Sequence, residues 1–388
     1  MTGPTDAHVV TADRIVDGRA AAAPDDRAGA WLVVVDGTVD RRGTGSVPSE
    51  FAALPVQHVA GTLVPGFVDV HAHGALGVDF ARCSTEDARR AVGHHRANGT
   101  TTLVASIATG TLAATLAAIG QLAPLVADGT LAGLHLEGPY LSPARRGAHA
   151  PELLRTPDVD EVRRMLAAGH PGAVRMVTIA PELPGAIAVV EHLVAEGVTV
   201  AIGHTDADTT TTMRAIDAGA TVATHLFNGM PPLHHRHPGP VGVVLADPRV
   251  TVELIVDGHH LDPTVVDLVR AAAPGRFALV SDAMAATGCA DGAYEIAGSD
   301  VVVADGVAML ADGSSLAGST ITIADAVQRL ATDAMPDELV AASSATAARA
   351  LGLRTGLSVG SPADAVVLDS HLCPSGTVMK GGRWLPSS

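Results

Sequence analysis

The 388-residue sequence predicts an α/β fold: a (β/α)8 TIM-like barrel with a small β-sandwich domain formed by both chain ends. Three observations predict it. Eight short apolar runs recur between Phe67 and Val280, helical mixtures of apolar and charged residues separate them, and both ends of the chain read as strands. The expected boundaries are residues 1–63 plus 357–388 for the β domain and 64–356 for the barrel.

At the N-terminal end, His8–Ile15 and Trp31–Val39 read as strands, with Asp36-Gly37 as a turn signal. Arg19–Gly29, rich in alanine and acidic residues, reads as a surface loop. At the C-terminal end, Ala363–Asp369 and Thr377–Trp384 are strand-like. One β domain closed by both termini is the expected arrangement, and two independent tails are the alternative.

The pattern changes at Pro65-Gly66. The apolar runs are Phe67–Val70, Thr101–Ile107, Leu131–Leu136, Val174–Ile179, Thr199–Ile202, Thr221–Leu226, Thr251–Val256 and Phe277–Val280. Between them, Thr85–Asn98, Thr111–Ala127, Val159–Ala168, Gly185–Glu196, Asp206–Ala218 and Asp262–Ala273 carry helical patterns. Near-continuous apolar strands alternating with helices imply a parallel sheet covered on its outside. A doubly wound open sheet is the competing architecture. It is weakened because no glycine-rich phosphate turn follows the first strand. Two further helices are expected around Ile323–Ala334 and Ser343–Leu351.

Composition narrows the function. Apolar residues make up 47% and charged residues 17%, so the chain can bury a large core. Aromatics are only 2%, too few for a stacking surface for single-stranded nucleic acid. The net charge of −16 disfavours nucleic acid and anionic membrane as partners. Lys380 is the sole lysine, which excludes Schiff-base, P-loop and carbamylated-lysine chemistry from the middle of the chain. Cys83, Cys289 and Cys373 are too dispersed for a disulfide framework or a metal motif, and they suit a reducing cytoplasm. The start of the chain lacks the basic and apolar regions of a signal peptide. The longest apolar helical stretch, Thr111–Ala127, is too short and too interrupted to span a membrane.

The chemistry lies where the strands finish. The first ends in Asp69-Val70-His71-Ala72-His73, and alternation brings His71 and His73 to one side. The third ends in His135-Leu136-Glu137, the fifth in Gly203-His204-Thr205 and the sixth in His225-Leu226-Phe227-Asn228. Asp257-Gly258-His259-His260 closes the seventh, and Ser281-Asp282-Ala283 closes the eighth. Imidazole and carboxylate gathered at one end of several strands are the ligand set of Zn2+ and other borderline divalent ions. Glu137, His204 and His225 are the strongest candidate ligands, because each follows an apolar strand where an unpaired polar group is costly. His71 and His73 either form a second metal site sharing Glu137 or orient the first. Asp282 is the natural general base. His94 and His95 read as a solvated helix surface, and His234, His235 and His237 as loop residues facing solvent or a pocket. These parts make a metal-assisted hydrolase acting on an amide, ester, deaminable base or similar carbon centre.

The combination of HAH at 71–73, LHLEGPY at 134–140, GHT at 203–205, THLFNGM at 224–230, DGHH at 257–260, LVSDAM at 279–284 and LAGS at 316–319 resembles the N-acetylglucosamine-6-phosphate deacetylases of the amidohydrolase superfamily. The segment Leu357–Asp369 is similar to that superfamily's closing β segment. The resemblance runs from about Gly61 to Asp369. HxH and the closing segment are superfamily-wide, whereas the longer motifs are specific in combination.

What the resemblance implies is residue-specific. Glu137, His204 and His225 would be the main metal ligands, with His71 and His73 allowing one or two divalent ions, zinc by preference. Asp282 would be the acid/base, and His149 would bind and polarise the substrate beside Ala148. Asn228 and Gly229 would bind substrate, Arg236 and His260 would hold a 6-phosphate, and Leu316, Ala317 and Gly318 would close over the sugar. The phosphate-binding arginine tends in this family to come from the neighbouring subunit, which implies a homodimer. A different metal-dependent amidohydrolase, acting on another N-acyl amino sugar or an N-acyl amino acid, is the alternative. This chain departs from the family at His235-Arg236-His237-Pro238-Gly239, where His237 stands in place of a frequent glutamate. Arg145 and Arg146, in the loop Leu141–Ala150, either reach substrate or face solvent.

Overall fold

The computed structural model describes residues 6–18, 29–331 and 337–386. Most of the expected loop Arg19–Gly29 and the end of the expected helix Ile323–Ala334 lie outside the described residues. The chain divides into two compact units. One comprises the chain up to Val68, His95–Thr102 and everything from Ile323 onward; the other comprises Asp69–His94 and Leu103–Thr322.

The eight apolar runs form an eight-stranded parallel sheet in chain order: Phe67–Ala72, Thr100–Ala108, Gly133–Glu137, Val174–Ile179, Thr199–Ile202, Val222–Ala223, Thr251–Ile255 and Phe277–Val280. The sheet closes on itself just past its strand ends. The Asp282 N–H donates to the His71 carbonyl oxygen at 2.8 Å, and Ala72 bridges Ala283 in parallel. The first, third, seventh and eighth strands are buried on both faces apart from the first residue of the seventh, which is why they read as runs rather than as alternation. The sixth run holds strand geometry over two residues only. The chain leaves it where His225 adopts a φ of 24°.

Helices Thr85–Ala97, Leu112–Ala127, Val159–Ala167, Ala186–Ala195, Thr209–Asp217, Gly239–Ala246 and Pro263–Ala272 alternate with the strands. Their starts are written in the sequence. Thr111, Asp158, Asp208 and Asp262 accept backbone N–H groups of the first turn. Helix Gly239–Ala246 was not expected, because Pro238-Gly239-Pro240 and Gly242 read as loop. Proline is tolerated in a first turn, and Val241, Val244 and Leu245 drive the segment into the core. His95 corrects a second expectation. It is fully buried rather than solvated, because position 95 continues the apolar stripe of Ala88, Ala91 and Val92 at helical spacing.

After the eighth strand comes an antiparallel sheet that the sequence pattern does not predict: Gly292–Ile296, Ser299–Ala304 and Val307–Leu310. Its signals are weak, being alternation across two short turns, Ala297-Gly298 and Asp305-Gly306. One face buries Val301, Val303, Ala308 and Leu310 with Ala108 and Met284.

In the other unit, strands from both chain ends pair in one seven-stranded sheet. Ala365–Leu368 runs antiparallel to Val56–Pro65, which is parallel to Ala7–Ile15. Ala30–Val35 and Thr38–Thr44 form the hairpin that Asp36-Gly37 announced. Val10, Leu32, Leu63, Val367 and Met379 fill one face. Among the described residues no helix is long and apolar enough to cross a membrane.

Candidate metal centre and active site

Backbone geometry at the strand ends aims the site. His204, His225 and Asp282 all have positive φ, at 45°, 24° and 49°. Side-chain-bearing residues enter this region at a cost of about 1–2 kcal/mol. Such outliers gather where function over-determines them. Here each ends an extended run abruptly, so the three side chains converge instead of continuing the pleat.

The result is two adjacent ligand groups. Glu137, His204 and His225 form one and His71, His73 and Asp282 the other, with the ligand atoms within each group no more than 4.8 Å apart. Glu137 joins them. Its Oε1 lies 3.1 Å from Nε2 of both His204 and His225, and its Oε2 lies 3.1 Å from Nε2 of His73. Nε2 of His71 is 3.4 Å from Oε1 of Glu137 and 3.4 Å from Oδ1 of Asp282. All six side chains are buried.

The hydrogen bonds behind the rings test whether this set suits a cation. His204 Nδ1–H donates to the Arg145 carbonyl at 2.8 Å, and His71 Nδ1–H donates to Oε2 of Glu253 at 3.1 Å. In the neutral rings the opposite nitrogens, the Nε2 atoms, then carry bare lone pairs. Nε2 of His204 faces Nε2 of His225 at 3.1 Å, and Nε2 of His71 faces Nε2 of His73 at 3.3 Å. Lone pairs and carboxylates converging in a buried space require positive charge, and outer partners that fix the tautomer are the hallmark of metal-binding histidines. Electrostatics agree. Burial favours the neutral ring of His73, but Asp282 and Glu137 outweigh it and bring the ring up to about 9. Burial alone raises the Glu137 carboxyl, yet the rings of His71, His149, His204 and His225 around it hold it well below the usual carboxylate range.

Three supporting groups were given no role by the sequence, although Asp69 and His135 stand in its strand-end motifs. Glu253, fully buried in the seventh strand, accepts from His71 and, at 3.3 Å, from the backbone N–H of His225, tying one ligand group to the other. A lone carboxylate in the run Thr251–Val256 was the available hint. Asp69 accepts from the Ser281 hydroxyl at 2.5 Å and from the His71 N–H at 3.2 Å, joining the first and eighth strand ends. Burial carries its carboxyl to about 6 despite these bonds. His135 packs edge-on against the His71 ring, centroids 4.6 Å apart, but both its nitrogens are engaged elsewhere. It is held by Ser106 at 2.9 Å and Thr178 at 2.8 Å, and burial keeps its ring neutral.

A pocket of about 170 Å3 opens on the centre. His73, Glu137, His204, His225 and Asp282 line it together with the expected substrate residues Ala148, His149, Asn228, Gly229, His260, Leu316 and Gly318. His149 places Nε2 3.3 Å from Oε2 of Glu137, and burial lowers its ring to about 4. His260 donates to Asp257 at 2.7 Å. Ala317 does not line the pocket; it is fully buried in the cluster beneath the three-stranded sheet. Arg236 is not in the pocket either. It sits on the exposed turn His234–His237, where the His234 and His237 rings stack at 5.6 Å. Arg145 pairs with Asp206 at 2.8 Å, and Arg146 donates to the His149 carbonyl at 3.0 Å, bracing the loop.

The model of the Amidohydrolase family matches residues 62–385. The chain belongs to the amidohydrolase family. It is 37% identical over 320 residues to the N-acetylgalactosamine-6-phosphate deacetylase of Escherichia coli O157:H7, covering 80% of this chain and 84% of that one. It is 34% identical over 364 residues to the N-acetylglucosamine-6-phosphate deacetylase of Bacillus subtilis, covering 90% and 91%. Among solved structures, a point variant of the Mycobacterium smegmatis N-acetyl-D-glucosamine-6-phosphate deacetylase, in complex with N-acetyl-D-glucosamine-6-phosphate, superposes with a TM-score of 0.91 at 42% identity over 97% of this chain and 99% of that one. The resemblance carried by the sequence motifs is thus borne out across this amidohydrolase chain.

Proposed function

We propose that this amidohydrolase removes the acetyl group from N-acetyl-D-glucosamine 6-phosphate, giving D-glucosamine 6-phosphate and acetate. The observation that carries the reading is Glu137, which belongs to one histidine-rich ligand group and lies 3.1 Å from His73 of the other, at a pocket whose lining matches the deacetylase motifs. A divalent ion bound there, zinc on our reading, would supply a water of lowered pKa and Lewis-acid polarisation of an amide carbonyl. Glu137, His204 and His225 would hold the main ion; His71 and His73 would hold a second or orient the first.

The chain's own groups do the rest. Asp282 takes the proton of the attacking water and returns it to the amide nitrogen as the C–N bond breaks. His149, neutral, donates its Nε2–H to the carbonyl oxygen as negative charge grows there. Ala148, Asn228 and Gly229 hold the sugar; Leu316 and Gly318 close over it, with Ala317 buried between them. His260 and Arg236 receive the 6-phosphate through charge-assisted bonds. Because Arg236 lies on an exposed turn, we read it as serving the pocket of a second copy in a homodimer. A cytoplasmic setting suits a phosphorylated sugar and unpaired thiols.

A second reading, N-acetylgalactosamine 6-phosphate as the preferred substrate, is favoured by the name of the 37% identical relative. Acetate release by metal-loaded protein decides between them. The expected result is rapid release from N-acetylglucosamine 6-phosphate, slower release from the galactosamine epimer and little from unphosphorylated N-acetylglucosamine. No release from any of the three overturns the substrate assignment.

A further inference from the structure

We infer that Ala108 and Ala297 form the wall that restricts this site to a two-carbon acyl group, and that a second cavity behind them is a closed acyl-extension subsite. The inference rests on the deacylase reading above. A cavity of about 200 Å3, lined by Ile107, Thr109, Thr115 and Leu153 and also by Asp79 and Arg82, adjoins the catalytic pocket. Ala108 and Ala297 line both spaces.

Ala108 ends the second strand in register with Glu137 on the third. It lies two residues after Ser106 and so on the same face; the Ser106 hydroxyl reaches His135 inside the barrel, which sets the Ala108 methyl beside the ligand groups. Ala297 comes from the three-stranded sheet. With Gly298 it makes the two-residue turn between Gly292–Ile296 and Ser299–Ala304, and both residues have positive φ, 50° and 81°. Glycine, asparagine and aspartate are the usual residues at the first position of such a turn, because they tolerate that backbone or bond to it. Alanine does neither. Its side chain is nonetheless retained there, 5% exposed, in one apolar cluster with Ala108 and Ile296. Its carbonyl accepts the N–H of Ala150 at 3.4 Å, so the turn docks on the residue that follows His149. A methyl kept at a strained position points to a role for the methyl itself.

The chemistry says what the wall meets. The carbonyl carbon of a substrate must sit at the Glu137–Asp282 centre, so the substituent on that carbon lies beside Ala108. The polar lining of Asn228, His260 and Ser315 suits hydroxyls and phosphate instead. An acyl group longer than acetyl then meets two methyl groups with empty space behind them.

The test is kcat/KM for the N-acetyl, N-propionyl and N-butyryl forms of glucosamine 6-phosphate, using metal-loaded wild type, Ala297→Gly and Ala108→Gly. One excess methylene against a closed wall is expected to reduce wild-type kcat/KM by about 10–100-fold. Ala297→Gly relieves the backbone strain and is expected to fold; it should raise the propionyl-to-acetyl ratio at least about tenfold. Ala108→Gly should move the ratio in the same direction, with melting temperature recorded for each variant. A ratio unchanged in both variants, or a wild type that accepts butyryl as well as acetyl, overturns the wall. A wild type that cleaves none of the three overturns the deacylase reading instead.

Discussion

Nε2 of His73 lies 3.3 Å from Oδ1 of Asp282, and the two side chains reach that point from either side of the barrel's seam, the first and eighth strands. Asp282 thus shares His71 and His73 with Glu137, whereas His204 and His225 face Glu137. Replacing it by asparagine preserves shape, and asparagine tolerates the left-handed backbone found there. Asp282→Asn is expected to retain a metal ion on Glu137, His204 and His225 while turnover falls about 10³-fold or more, since the proton acceptor is gone. Metal analysis and acetate release on one preparation check this. Near-normal turnover removes Asp282 from the mechanism.

His149 makes a different contribution. Burial lowers its ring to about 4, so it is neutral throughout the working range and acts as a hydrogen-bond donor rather than a proton store. His149→Ala is expected to lower kcat about 10²–10³-fold with KM changed only a few-fold, the pattern of an interaction made in the transition state. A rise in KM at constant kcat would assign His149 to ground-state binding only.

How much of this was legible depended on period. The eight runs and six of the helices were readable because burial on both faces, helical stripes and capping residues each leave a local signature. The convergence of Glu137, His204 and His225 was readable because a polar side chain closing an apolar strand is costly to bury unless something binds it. Glu253 was not, since one carboxylate inside a run resembles a solvent-facing position until its partners His71 and His225 are placed. The Gly292–Leu310 sheet was missed because its strands are short, and residues such as Val302, 47% exposed, blur the alternation. His95 was misjudged because its neighbour His94 suggested a polar surface, whereas a one-residue step on a helix changes the face.

Gly318 tests the closing segment. Its φ is +67°, and a Cβ there would lie 2.9 Å from the Asp282 carbonyl oxygen and 3.3 Å from Cβ of Met284. Gly318→Ala must therefore strain its own backbone and displace the residue that carries the acid/base group. The expectation is a loss of about 1–2 kcal/mol in stability together with a marked loss of turnover, checked by denaturant unfolding and kinetics. Wild-type turnover in that variant would separate Gly318 from the site.

Asp257 supplies the pH dependence. Burial pushes its carboxyl up, but the His260 ring and the N–H groups of His259 and His260 outweigh that and leave it at about 2. A carboxyl depressed on folding contributes stability that is present above its ordinary value near 3.8 and is lost as pH falls from there through about 2. The contribution is about 2 kcal/mol at pH 7. Asp257→Asn is expected to be destabilised by that order at pH 7 and to approach wild type only as pH falls below 3.8 towards 2. A constant difference across that range would mean the aspartate acts through shape rather than charge.

Arg236 separates the phosphate and dimer readings. Its side chain is exposed and makes no ion pair among the described residues, although several acidic residues of this chain do engage arginines. A charge-assisted bond to phosphate is worth about 1.5–3 kcal/mol, so Arg236→Ala should raise KM for the phosphorylated sugar roughly 10–100-fold and leave the unphosphorylated sugar unaffected. Equal effects on both would mean that Arg236 does not read phosphate. The subunit that uses it can be found by complementation. An Asp282→Asn subunit lacks a working centre but still supplies Arg236; an Arg236→Ala subunit has a working centre but lacks the arginine. When the two are unfolded and refolded together, mixed dimers contain one complete site only if the arginine crosses between subunits. The expected result is activity well above that of either variant alone at low substrate. An additive mixture would place Arg236 at its own pocket, with the exposed turn moving to reach it.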